Sequence, residues 1–125
     1  MSCICEGSLV EMIDIDGNVY LVEIETLRPS ELLCDAVSGV GVPVETILVR
    51  ETMGIWPVVQ YMGLTCDLAQ FVHVPHRGWV EASGMGTRCR RMCTRMYAVV
   101  ASGGSKAVRV DGVICLVADD ATSLL

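Results

Sequence analysis

A cysteine stands third in the chain, within Met1-Ser2-Cys3-Ile4-Cys5-Glu6-Gly7-Ser8-Leu9-Val10. A thiol at this place, followed by a small-residue turn and a strand-like stretch, can attack the carbonyl of the peptide bond before it and turn an amide into a thioester. That step is uphill, so it needs a neighbour that delivers a proton to the leaving nitrogen. A second group is of metal-ligand type. His73-x-x-His76 is followed, twelve residues on, by Cys89-x-x-x-Cys93, four side chains of the kind that hold zinc. Plainer roles compete: Cys89 and Cys93 on a helix would share a face as two core positions do, and His73 on an apolar strand is a buried, hydrogen-bonded histidine. A third group is cationic. Arg77, Arg88, Arg90, Arg91 and Arg95 face only Glu81 in their segment, whereas Met1 to Asp67 carries eleven acids against two arginines. Such a patch can bind nucleic acid. The net charge of −6 and the few aromatics favour arginines that face acidic strands of the same domain, or water. No glycine loop of phosphate-binding type and no Ser-His-Asp arrangement stands out.

The elements that must position these groups read as β. Leu9 to Ile15, the turn Asp16-Gly17-Asn18 and Val19 to Ile24 form a hairpin. Thr26 to Leu33 reads as a short helical turn capped by Ser30, with Pro29 at its start. Val37 to Val44 reads as an irregular strand. Val44 to Glu51, Pro57 to Thr65, Phe71 to Val74, Trp79-Val80, Tyr97 to Ala101 and Ala107 to Leu116 follow as strands. Ser102 to Ser105 is a loop, Asp111-Gly112 a further turn pair, and Asp119 to Leu125 a loose tail. Tyr61, Trp56 and Trp79 are expected in the core, while Met85, Met92 and Met96 either fill gaps or flank a surface. Many short strands with frequent turn signals predict an all-β fold, and 125 residues with no linker predict a single domain over 1–125.

Composition adds limits. Hydrophobic residues make up 52% of the chain, which excludes a disordered polymer. No apolar run reaches the roughly 20 residues that a membrane helix needs, so no membrane partner is expected, and no signal peptide is evident. Seven scattered cysteines, an odd number, predict reduced thiols in a cytoplasmic setting. Cys3 and Cys5 should point the same way, and a bond between them is geometrically awkward.

Three segments together resemble the Hint (hedgehog/intein) superfamily of self-processing domains. Cys3-Ile4-Cys5-Glu6-Gly7-Ser8-Leu9-Val10, continued by Asp16-Gly17 and Val22 to Leu27, is similar to the opening block with its nucleophilic cysteine. Gly63 to Val72, continued by Arg77-Gly78-Trp79-Val80-Glu81-Ala82, is similar to the block that normally carries Thr-x-x-His ahead of Gly-Trp. Lys106 to Cys115 is similar to the closing strands. The resemblance covers most of the chain and implies a horseshoe-shaped all-β fold with Cys3 as the nucleophile position. It places Asp67 where the family has threonine and Gln70 where it has histidine. Glutamine donates a hydrogen bond but shuttles no proton near neutral pH. His73, three residues on, turns to the opposite face of a strand. Asn18 is the chain's one asparagine and lies in a turn, so C-terminal asparagine cyclisation is unavailable. Only Met1 and Ser2 precede Cys3, so cleavage would release a dipeptide.

The expectation is therefore a stand-alone Hint-like domain, of viral or mobile-element type and placed in the host cytosol if viral. Its self-processing is lost or reduced, and it acts as a protein-interaction module without a cofactor. Residual thioester formation at Cys3, with Asp67, Gln70 and His73 as the accompanying site residues, is the alternative. Zinc binding by His73, His76, Cys89 and Cys93 is a further one.

Overall fold

In the computed structural model, residues 2–103 and 106–117 are described. They form thirteen strands, two short 3-10 turns and no α-helix. The strands in chain order are β1 (Ile4–Cys5), β2 (Leu9–Ile13), β3 (Val19–Glu23), β4 (Leu32–Cys34), β5 (Gly41–Glu51), β6 (Ile55–Tyr61), β7 (Leu64–Cys66), β8 (Phe71–Val74), β9 (Gly78–Glu81), β10 (Thr87–Met92), β11 (Arg95–Ala101), β12 (Lys106–Val110) and β13 (Val113–Val117). They run through one curled sheet in the order β10-β6-β7-β1-β11-β5-β4-β2-β12-β13-β8-β9, with β3 paired to β2 off this path. The all-β architecture expected from the sequence is the one observed.

The eleven-residue β5 makes the curl. Gly41, Val42 and Pro43 pair with β4, and Val44 to Glu51 pair with β11. The register slips between Val100 and Ala101 of β11, the irregularity that lets a strand bend from one half of a sheet to the other. Two apolar clusters fill the concavities. The larger gathers, among others, Val10, Met12, Leu33, Val72, Val108 and Cys115. The smaller is Cys3, Cys5, Val58, Cys93, Met96, Ala98 and Val100, with Leu48, Trp56 and Cys89 at its margin.

The β2–β3 hairpin forms as the Asp-Gly signal predicts. Asp14 Oδ1 accepts from the N–H groups of Asp16 and Asn18, both at 2.9 Å, and Gly17 supplies the φ of +87° that closes the turn. Other segments differ from expectation. The helical turn lies at Ile24–Thr26 rather than over Thr26 to Leu33, and Ser30 sits at φ +77° without capping it. Met62-Gly63 splits the strand expected over Pro57 to Thr65 into β6 and β7, and Asp111-Gly112 likewise divides β12 from β13. Cys89 lies on a strand, β10, not on a helix. Gly86 permits that strand to lie against β6, because a Cβ there would meet the Gln60 carbonyl at 2.5 Å. Trp79 is 40% exposed rather than a core residue. The loop positions 104 and 105 and the tail from Asp119 to Leu125 lie outside the described residues.

Candidate functional site

Cys3 immediately precedes β1, which is held between two neighbours: Ile4 pairs with Cys66 of β7 on one side and Tyr97 of β11 on the other. This pairing brings the residue after β7 to Cys3. The Asp67 N–H donates to the Cys3 carbonyl at 3.0 Å, and the Asp67 carboxyl accepts from the Ala69 N–H at 3.1 Å. The backbone N–H of Cys3 acts on the same carboxyl, holding its pKa down against burial. That nitrogen is the one an acyl shift would have to release. Cys3 and Asp67 are both buried.

The electrostatics oppose a thiolate. Burial first, and the Asp67 charge second, push the Cys3 thiol up to about 11, while Arg50 pulls only weakly the other way. At pH 7 about one such thiol in 10⁴ is ionised. Burial also raises Asp67 above the ordinary carboxylate range, with the N–H groups of Cys3 and Ala69 opposing it. A proton can therefore reside on Asp67 at a higher pH than on a solvated aspartate. Cys66 is pushed up to about 12 by burial and then by Asp67. Cys115 is raised by burial, with Cys66 adding to it. These two act as small apolar core side chains.

Gln70 is placed differently from the proton shuttle it would replace. Its Nε2 donates to the Phe71 carbonyl at 3.0 Å and to the Leu116 carbonyl at 2.9 Å. An amide NH₂ has two hydrogens, so both are committed to backbone. Gln70 thus ties the β7–β8 connection to β13. It borders a cavity of about 20 Å³, lined also by Ser2, Ile4, Tyr97 and Leu116, which has room for about one water. His73 lies on the outer face of β8, edge-on to Trp79 with ring centroids 5.4 Å apart. The structure therefore brings Cys3 and Asp67 together, leaves Gln70 beside them as a strut, and keeps His73 away.

The zinc-type set does not assemble. Among the described residues no three His, Cys, Asp or Glu side chains gather closely enough to hold a metal ion. Cys93 is bonded to Cys5, with their Cα atoms 6.2 Å apart across a sequence separation of 88, and Cys89 is hydrogen-bonded to Gln60. This disulfide corrects the expectation that the thiols are all reduced. Cys3, Cys34, Cys66, Cys89 and Cys115 are free. The bond ties the end of β1 to the β10–β11 turn, which is fastened further. The Glu6 carboxylate accepts from the Thr94 N–H at 3.0 Å and from its hydroxyl, and Thr52 donates to the Cys93 carbonyl. No spacing in the sequence pairs Cys5 with Cys93, so this contact could be found only from the fold.

The arginines do not form one surface. Arg88 and Arg90 lie on the opposite face of β10 from Arg91, Arg95 is paired with Glu51 at 3.6 Å, and Arg77 contacts the Met85 sulfur. Arg50, which sequence reasoning passed over, lies 5.7 Å from the Trp56 ring centroid and near enough to Cys3 to favour its thiolate.

No protein-family model matches the chain, and no curated protein matches it. A solved bacterial intein-like domain from Clostridium thermocellum does: the TM-score is 0.65 at 16% identity, over 95% of this chain and 99% of that one. The fold is intein-like. In this Hint-like frame β1 lies between β7 and β11, with Asp67 beside it.

Proposed function

We propose that this Hint-fold domain has lost or reduced self-processing and acts by recognising another protein. Gln70 carries the reading. The position that would have to move a proton to the Cys3 nitrogen is a neutral amide with both hydrogens fixed on the carbonyls of Phe71 and Leu116. A buried thiol held near pKa 11 supports it. The test is a fusion of a stable reporter domain ahead of Cys3, incubated with dithiothreitol and followed by intact mass. The expected result is an uncleaved fusion, the same as its Cys3→Ala control. Reporter release that depends on Cys3 overturns the reading.

One observation favours a second reading, residual thioester formation: Asp67 is bonded to the Cys3 backbone through its N–H, and burial raises the pKa of its carboxyl. In that chemistry the Cys3 sulfur bonds to the Ser2 carbonyl carbon and the Ser2–Cys3 C–N bond breaks. Asp67 takes the thiol proton and hands it to the departing amine, so no proton is gained or lost. Cleavage lost in Asp67→Ala but kept in Gln70→Ala would support it.

A further inference from the structure

Among the described residues three strands leave an edge of the sheet unpaired: β10, β9 and β3. The first two are guarded. β10 carries Arg88, Arg90 and Arg91, the charged side chains that keep a free edge from pairing, and β9 is only four residues long and begins with a glycine. β3 has neither protection. Its first four residues are Val19-Tyr20-Leu21-Val22, with no charge and no proline, and its register against β2 is unbroken from Leu9↔Glu23 to Ile13↔Val19.

The hydrogen-bond phase of the hairpin shows what that edge offers. The Ile24 N–H donates to the Ser8 carbonyl at 2.8 Å, and the Asp14 N–H to the Asn18 carbonyl at 3.0 Å. Opposed pairs in an antiparallel ladder alternate between bonded and non-bonded. Val22 and Tyr20 are therefore the members bonded to β2. Val19, Leu21 and Glu23 point their backbone groups away from it. The Glu23 carbonyl accepts the Thr26 hydroxyl, which leaves the N–H groups of Val19, Leu21 and Glu23 and the carbonyls of Val19 and Leu21 for an incoming strand. The side chains beside this edge are apolar and open: Leu21 is 59% exposed, Val19 54% and Tyr20 40%.

The charge around the hairpin selects the occupant. From Glu6 to Leu27 there are six acids (Glu6, Glu11, Asp14, Asp16, Glu23 and Glu25) and no Lys, Arg or His. A second β3 laid on the first would set acid against acid. We infer that the free edge of β3 is a docking site for an extended cationic segment of a partner protein, with apolar residues alternating with Lys or Arg, which adds to the sheet as a further strand. Its backbone would bond Val19, Leu21 and Glu23, its cations would stand on the face of Glu23 and Glu11 with their aliphatic stems over Leu21 and Val19, and its apolar side chains would lie on the opposite face beside Tyr20 and Val22. This rests on the recognition reading and names the partner's chemistry.

The experiment titrates the ¹⁵N-labelled full chain with a synthetic peptide of alternating Lys and Val, beside a peptide of alternating Glu and Val. Saturable shifts at the amides of Val19–Glu23 are expected for the cationic peptide and none for the acidic one. Affinity should fall at least tenfold in Leu21→Lys and in Glu23→Lys, two exposed sites whose replacement leaves the fold intact, and severalfold as salt rises. No shift up to millimolar peptide, shifts confined to β10, or binding unchanged in both variants overturns the inference. So does concentration-dependent self-association lost in Leu21→Lys, which makes a second copy the occupant. None of these outcomes touches the fusion assay, whose Cys3-dependent cleavage is what refutes the broader reading.

Discussion

The larger buried cluster is made mainly of branched aliphatic side chains, Val10, Ile24, Leu33, Val72, Val108 and Val110 among them, whereas the smaller is mostly small or sulfur-bearing: Cys3, Cys5, Cys93, Met96 and Ala98 with two valines. Branched side chains bury more apolar area and hold fixed rotamers, so the larger cluster can define the fold by packing alone. Cysteine and alanine bury little and methionine adapts to its surroundings. The smaller cluster is held where packing is weak, by the Cys5–Cys93 bond and by the Glu6, Thr94 and Thr52 hydrogen bonds at its rim. Cys3 lies in this second cluster. Its surroundings are soft in packing and fixed by cross-links.

The widest test of this contrast is the disulfide. A bond that closes a loop of this length restricts the unfolded chain by an amount worth about 4 kcal/mol. Replacing both Cys5 and Cys93 by serine should lower unfolding stability by about that much in urea titrations. Hydrogen exchange should place the loss at β1 and the β10–β11 turn, with β12 and β13 protected up to global unfolding. A loss below about 1 kcal/mol would mean that packing holds the smaller cluster as it holds the larger.

The converse test acts on the larger cluster. Leu33 is fully buried on β4 and pairs with Met12 of β2, itself fully buried. Leu33→Ala should cost about 3 kcal/mol by chemical denaturation, through lost contact and the cavity left behind. The cost should be the same with the Cys5–Cys93 bond present or reduced, because distant, unconnected sites add. A strong dependence on the disulfide would merge the two clusters into one cooperative unit.

The larger cluster was legible in the sequence and the smaller was not, for a physical reason. Strands such as Leu9–Ile13 and Phe71–Val74 show alternation or apolar runs that report burial directly, and Asp16-Gly17 reports its own turn. The resemblance to the Hint blocks sets Asp67 and Gln70 at the positions of that family's threonine and histidine. The pairing of β1 with β7 sets Asp67 beside Cys3, and Gln70 donates to the carbonyls of Phe71 and Leu116. The strand β10 escaped notice because Thr87-Arg88-Cys89-Arg90-Arg91-Met92 is an exposed edge with almost no apolar face to report. With β10 unseen, Cys93 could not be placed beside Cys5. The Asp111-Gly112 turn was visible as a pair, yet the valines on both sides made one long strand equally readable.

The smallest effect concerns Asp67, which belongs to neither cluster and lies against both. Its folded pKa is raised above the unfolded one, so at pH values between the two the folded state binds more protons, and stability falls as pH rises through that window. Its favourable contribution is complete below the ordinary aspartate range and gone above the raised value. The slope cannot exceed about 1.4 kcal/mol per pH unit. Asn in its place does not titrate but can still accept the Ala69 N–H through its Oδ1. Stability measured against pH in the native chain and in Asp67→Asn should therefore diverge, the variant gaining relative to the native chain as pH rises from acid to neutral. If the native chain gains instead, Asp67 is held by its hydrogen bonds more strongly than burial opposes it. A carboxylate so stabilised could not carry the proton that residual chemistry at Cys3 would require.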